Sequence, residues 1–155
     1  MTGKATEHNP ALWVWGEKAT KPRFLHTMIN VKSFDDAMRF YVDGLGMKVL
    51  DRFDIEATRK TCLFLGFDGY AGGGCVELVH PWDAQDEFTH GTGYGHVSIG
   101  VPDVGAMITK LQSMGFKVTR PIKVLIPGGP QVAFVQDQDG YQVELIQTAR
   151  NEVNG

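Results

Sequence analysis

Apolar positions along this chain follow two periods in turn. Between His26 and Val31 they alternate, with Thr27, Ile29 and Val31 on one face and His26, Met28 and Asn30 on the other. From Phe34 the spacing becomes helical through Phe34, Ala37, Met38 and Tyr41, and Ser33, three residues before Asp36, is placed to cap the helix. The same succession returns at His96. Val97, Ile99 and Val101 alternate with His96, Ser98 and Gly100; Asp103 then caps a helix carrying Val104, Met107, Ile108 and Leu111, and Gly115 ends it.

Three strand-like segments follow each helix: KVLDRFD, TCLFLGF and GCVELVH in the first half, KVTRPIKV, PQVAFVQ and YQVELIQ in the second. The GGG at 72–74 and the DQDG at 137–140 stand where hairpin turns are required. Each half carries a histidine with a valine five residues on, then a G-[MF]-K-V turn, then a closing V-E-L strand. The interval from His26 to Glu77 is 51 residues, and that from His96 to Glu144 is 48. These coincidences together indicate an internal duplication. The expected fold is α+β: two βαβββ modules forming a curved mixed sheet that needs a shared covering surface. The expected layout is an N-terminal arm (1–23), a first module (24–80), a linker (81–95), a second module (96–148) and a tail (149–155).

Composition narrows the function. A net charge of −3 offers no electrostatic case for nucleic acid or an anionic membrane, and no apolar run is long enough to span a bilayer. Cys62 and Cys75 form no metal-binding or disulfide pattern. These features lead to the expectation of a cytoplasmic protein.

Alternation also locates candidate chemistry. In both V-E-L strands the Val and Leu point one way and the glutamate the other. If the aliphatic face packs on the helix, His26, Glu77, His96 and Glu144 all lie on the opposite, concave face. Taken singly, each fits a strand-edge group facing water. Their duplicated placement argues for a shared role. Glutamates in apolar strands are costly to bury as anions, and two facing one site repel each other unless a cation neutralises them. Two imidazoles and two carboxylates suit Ni, Co, Zn, Mn or Fe better than Ca or Mg.

The segments FLHTMINV, RFYVDGLGMKVL, CVELVH, GYGHVSIGV and AFVQDQDGYQVELI resemble glyoxalase I (lactoylglutathione lyase), of the vicinal oxygen chelate superfamily, over about residues 24 to 147. All four metal-ligand positions of that family are matched, by His26, Glu77, His96 and Glu144. The resemblance implies one divalent ion per site, Ni²⁺ or Co²⁺ ahead of Zn²⁺, given the short stretch between Glu77 and His96. It also implies a homodimer with sites between chains, and a small-molecule substrate formed from a 2-oxoaldehyde, such as methylglyoxal, and glutathione. Glu144 then acts as the catalytic base in forming an enediolate, Glu77 serves the other epimer, and the product is a 2-hydroxyacyl thioester.

The departures fall on the thiol carrier. Asn30 stands where the family has an arginine for a glutathione carboxylate, Pro81 replaces an asparagine, and Lys123 is merely close to a family lysine. Arg39, Arg52 and Arg120 are candidate substitutes, and Asn30 and Thr92 are candidate substrate contacts. Two other readings stay open: a glyoxalase-like isomerase, epimerase or dioxygenase on an aromatic or acyl-thioester substrate, and a non-catalytic ligand-sequestering protein. Trp13 and Trp15 are expected to dock the arm onto the body or a partner chain, or else to close the pocket. His80 and His90 read as exposed loop residues, and Cys75 as a packed free thiol.

Overall fold

Alternation in the sequence becomes alternation in burial. The computed structural model describes residues 9–15, 20–83 and 87–149; residues 1–8 and 16–19 of the arm, 84–86 of the linker and 150–155 of the tail lie outside the described residues. The chain divides into two units, residues 1–88 and 89–155. The first contains β1 (His26–Asn30), α1 (Phe34–Met38), β2 (Lys48–Ile55), β3 (Lys60–Gly66) and β4 (Cys75–Pro81). The second contains β5 (Val97–Val101), α2 (Val104–Ser113), β6 (Val118–Val124), β7 (Gln131–Gln136) and β8 (Gln142–Gln147). Each unit forms its own four-stranded sheet, in the orders β1-β4-β3-β2 and β5-β8-β7-β6. The β1–β4 and β5–β8 pairs are parallel and the others antiparallel, so each sheet is mixed. In both units the aliphatic face is the buried one: Ile29, Val31, Ile99 and Val101 are buried, whereas Met28, Ser98 and Gly100 are exposed.

The helices start as expected. Ser33 accepts from Asp36 N at 3.3 Å, and Asp103 accepts from Ala106 N at 2.9 Å. They continue differently. α2 runs regularly for 10 residues, but α1 widens after Met38 into a π-helix, Arg39–Gly44, closed by Leu45 N donating to Phe40 O at 2.9 Å. In an α-helix neighbouring side chains diverge by about 100°. The wider turn lets Phe40 and Tyr41 both go inside, at 0% and 1% exposure, with their rings packed edge-on at 4.9 Å. Gly46 (φ 81°) and Gly115 (φ 90°) then open the two G-[MF]-K-V turns in the left-handed region that a side chain disfavours.

The arm breaks the likeness between the units. Asn9 caps a 3₁₀ turn, Pro10–Trp13, whose Leu12 is buried in a cluster with Cys62, Phe64, Tyr70, Cys75 and Val79. Trp13 packs against that cluster, so the arm docks onto the first unit. Its anchor is Asp51, in β2 and only 2% exposed. A buried carboxylate needs donors to offset its lost hydration. Asp51 receives them from Asn9 N at 2.7 Å, Trp13 Nε1 at 2.8 Å and Arg52 N at 2.8 Å. Among the described residues no helix is long and apolar enough to cross a membrane.

Cys62 sits in this same cluster, and its surroundings set a pH dependence. Burial, with a further push from the neighbouring Glu77, raises its thiol from 9.0 to about 12. A thiol that titrates higher when folded contributes stability that is whole below about pH 9 and is lost as pH climbs to about 12. Urea unfolding midpoints are therefore expected to fall across that alkaline range, and to fall less steeply in Cys62→Val. Parallel pH profiles for the two proteins would contradict this placement of the thiol.

Candidate metal centre

Strand register carries the candidate ligands into two matching pairs. In the first unit β1 runs parallel to β4, with Met28 opposite Glu77, and β3 places Phe64 opposite Glu77 on the other side. His26 and Glu77 thus share a face, with Nε2 and Oε2 3.0 Å apart. The His26 ring stands edge-on to Phe64, at 5.6 Å and 83°. In the second unit Ser98 and Phe134 flank Glu144 in the same way. His96 Nε2 lies 3.3 Å from Glu144 Oε2, and its ring meets Phe134 edge-on at 5.3 Å and 81°. His96 itself just precedes β5 rather than opening it, a correction to the expected strand at 96–101. The shift by one residue leaves its side chain in the position equivalent to that of His26.

Both glutamates are largely withdrawn from water, with side-chain exposures of 15% and 12%, while their histidines keep 31% and 42%. Each pair is therefore a carboxylate held low against a phenylalanine, with an imidazole reaching over it. Such a donor set suits a divalent transition metal. The observed separations of 3.0 and 3.3 Å bring an imidazole nitrogen and a carboxylate oxygen close enough that each pair would hold one ion between them. Among the described residues, no group of three or more His, Cys, Asp or Glu gathers at one point.

The two pairs differ in their supports. Ser98 Oγ donates to Glu144 Oε2, the oxygen that also faces His96; the equivalent of Ser98 in the first unit is the apolar Met28. There Glu77 has the buried Cys62 thiol as a neighbour, and its charge helps to raise that thiol. His26 Nδ1 lies 2.7 Å from Tyr70 Oη. Burial raises both Tyr70 and Cys75 above their ordinary values, so the phenol and the thiol stay protonated at neutral pH. Cys75 is buried at 7% exposure.

The rows beyond the glutamates differ too. Across β8, β7 and β6 the residues Glu144, Phe134 and Arg120 lie side by side, and the exposed Arg120 guanidinium sits over the Phe134 ring at 4.8 Å. The matching row in the first unit is Glu77, Phe64 and Asp51, and there the third place is taken by the arm's anchor. Arg52 is directed elsewhere, over Phe34 at 5.3 Å. Asn30 is half-buried at the end of β1, and Thr92 is exposed in the turn at 91–93.

Of the two histidines expected in exposed loops, His80 is not in a loop and His90 is in one but is not exposed. His80 lies in β4, half-buried, with Nδ1 3.2 Å from Val31 O and its ring against Phe34. His90 is half-buried and stacks on Tyr141 at 4.2 Å. Sequence reasoning missed Phe64, Phe134, Ser98 and Tyr70. The first three were accessible, because they fall on the glutamate face once strands are paired. Tyr70 comes from the loop before β4 and carried no signal.

Comparison with known proteins agrees with this fold. The family model for the glyoxalase/bleomycin resistance protein/dioxygenase superfamily matches residues 23–145. The chain is 38% identical to a probable lactoylglutathione lyase of Synechocystis sp. over 125 residues, 81% of this chain and 95% of that one. It is 37% identical to the lactoylglutathione lyase of Haemophilus influenzae, covering 81% and 92%. Among solved structures, glyoxalase I from Zea mays superposes with a TM-score of 0.75 at 36% identity, covering 83% of this chain; this chain spans about half of that protein, at 45%. The glyoxalase I of Leishmania major, described as trypanothione-dependent, gives a TM-score of 0.72 at 33% identity, covering 82% of this chain and 87% of that one. The likeness thus holds in sequence and in shape, and the chain belongs to the glyoxalase/bleomycin resistance protein/dioxygenase superfamily.

Proposed function

We propose that this protein is a metal-dependent, glyoxalase-I-type lyase, working as a cytoplasmic homodimer on a 2-oxoaldehyde–glutathione hemithioacetal. The observation that carries the reading is the doubled His–Glu pair. His26 and Glu77 supply two donors 3.0 Å apart, His96 and Glu144 two more 3.3 Å apart, and each pair alone is half of a four-ligand set. His26 and Glu77 of one chain are completed by His96 and Glu144 of a second copy. The likeness to lactoylglutathione lyases along 81% of the chain supports the same activity.

A divalent ion bound there, Ni²⁺ or Co²⁺ in preference to Zn²⁺, supplies a Lewis acid for the vicinal oxygens of the substrate. The protein's own groups move the proton. Ser98 fixes Glu144 Oε2, leaving Oε1 for the substrate. Glu144 removes the C–H proton beside the carbonyl and returns it to the neighbouring carbon, so the hemithioacetal becomes a 2-hydroxyacyl thioester with no net oxidant or reductant. Glu77 serves the opposite epimer. Phe64 and Phe134 keep water from the carboxylates, which strengthens every charge interaction at the centre.

The thiol carrier is held differently from the family pattern, since Asn30 and Pro81 lack the usual charged and amide contacts. Arg120 is the cation placed to compensate, exposed on the row of Glu144 and Phe134. A carrier other than glutathione is a second reading favoured by the same two positions; the relative from Leishmania major, described as trypanothione-dependent, shows that such use occurs on this fold.

Chelator-treated protein is expected to be inactive toward the methylglyoxal–glutathione adduct and to recover on adding Ni²⁺, Co²⁺ or Zn²⁺. Glu144→Gln should retain its fold by circular dichroism and lose roughly 10²–10⁴-fold in kcat. Near-normal turnover in that variant removes Glu144 as base. Co-expression separates site locations: His26→Ala chains mixed with Glu144→Ala chains regain activity if sites form between chains, because one of two sites in the mixed dimer keeps all four ligands. Mixed dimers without activity place each site within one chain. Arg120→Gln is expected to raise KM by roughly tenfold or more with little change in kcat, as for loss of a charged hydrogen bond; an unchanged KM for both glutathione and trypanothione adducts excludes Arg120 as the carrier's anchor.

A further inference from the structure

The two half-sites differ in one contact that reaches past the metal donors. His26 Nδ1 lies 2.7 Å from Tyr70 Oη, and the two rings lie nearly parallel, 6.2 Å apart at 24°. Among the described residues, the His96 ring meets Glu144 and Phe134 and has no counterpart of Tyr70. Tyr70 comes from the loop between β3 and β4, yet it is 1% exposed. The N-terminal arm is what encloses it. Trp15 stacks on its ring at 5.5 Å and 6°, and Trp13 meets it edge-on at 5.5 Å and 77°. Tyr70 N donates to Leu12 O at 3.4 Å, and Arg23 Nη1 donates to Tyr70 O at 2.8 Å. Residues 9–15 of the arm precede the stretch from 23 to 145 that the family model matches, so the enclosure is built by a segment outside it.

We infer that Tyr70 is a positioning residue for His26 and that the N-terminal arm locks it in place. The inference rests on the metal-centre reading above. An imidazole binds a cation through an unprotonated nitrogen, and the proton must then sit on the other one. Tyr70 Oη accepts that proton's hydrogen bond at Nδ1, which leaves Nε2, the atom beside Glu77, as the metal donor. A phenol oxygen accepts a hydrogen bond while keeping its own hydrogen, so Tyr70 takes this one as a neutral group. The same hydrogen bond stops rotation of the imidazole, so the donor is already aimed before the metal arrives. Trp15 and Trp13 confine the phenol from two sides, which ties the metal affinity of this half of the site to the docking of the arm.

The test is Zn²⁺ binding to the full-length protein, measured by competition with a chromogenic chelator. Tyr70→Phe keeps the ring stack and removes only the hydroxyl; it is expected to weaken Zn²⁺ binding roughly 10–100-fold while thermal unfolding of the metal-free protein is unchanged. Trp15→Ala, with the hydroxyl intact but unconfined, should fall between wild type and Tyr70→Phe. Proton–nitrogen correlation spectra of the zinc-loaded wild type should show a slowly exchanging Nδ1 proton on His26, absent in Tyr70→Phe. Should Tyr70→Phe disturb the fold, the wild-type spectrum decides alone, since lack of a protected Nδ1 proton there overturns the assignment. Unaltered zinc affinity in Tyr70→Phe overturns it as well. His26→Ala distinguishes the two levels: if zinc binds that variant as tightly as wild type, the metal-centre reading itself is wrong, whatever Tyr70 does.

Discussion

A carboxylate lowered into an aliphatic sheet beside an imidazole is the constraint around which each half of this chain is arranged. A buried anion is tolerated only if something offsets its lost hydration. Glu77 and Glu144 meet that demand with His26 and His96, and Glu144 also with the hydrogen bond from Ser98. The rest of each module serves this placement. The parallel pairing of first and last strands sets the imidazole beside the carboxylate, and the middle strand supplies a phenylalanine wall. The helix covers the opposite face, where Val31, Val101, Val104 and Leu111 are buried.

Much of this could be read from the chain because strand alternation is a strict rule. The faces of His26 and Glu77 followed from parity alone, and the duplication made the assignment twice over. Helix caps were equally legible, since Ser33 and Asp103 act through contacts three residues away. What escaped was whatever depends on partners distant in sequence. Phe64 and Phe134 matter through register, which hydrophobic pattern limits but does not number. Tyr70 matters because an arm some 55 residues upstream folds over it. The π-helix at Arg39–Gly44 was hidden because Phe40 and Tyr41 are adjacent, and a regular helix assigns them different faces. His80 was misplaced for a related reason: polarity suggested a loop, while pairing with β3 drew it into a strand; His90 does lie in a loop, and stacking on Tyr141 half-buries it.

Duplication supplies two copies of a scaffold, and the copies then answer to different pressures. Unit one spends its outer strand on holding the arm: Asp51 is consumed by backbone and indole donors. Unit two leaves the corresponding place to an exposed guanidinium. Its carboxylate is steadied by a serine hydroxyl, whereas that of unit one has as neighbour a buried thiol pushed too high to ionise near neutrality. The core repeats, and the rim has diverged.

That divergence leaves the two outer strands electrically unlike. β6 presents Arg120 as an exposed cation over Phe134, whereas the matching place in β2 holds a carboxylate closed off by an indole and two backbone amides. The edge of the second sheet therefore offers an anion a counter-charge, and the edge of the first has already used its own charge to fasten the arm.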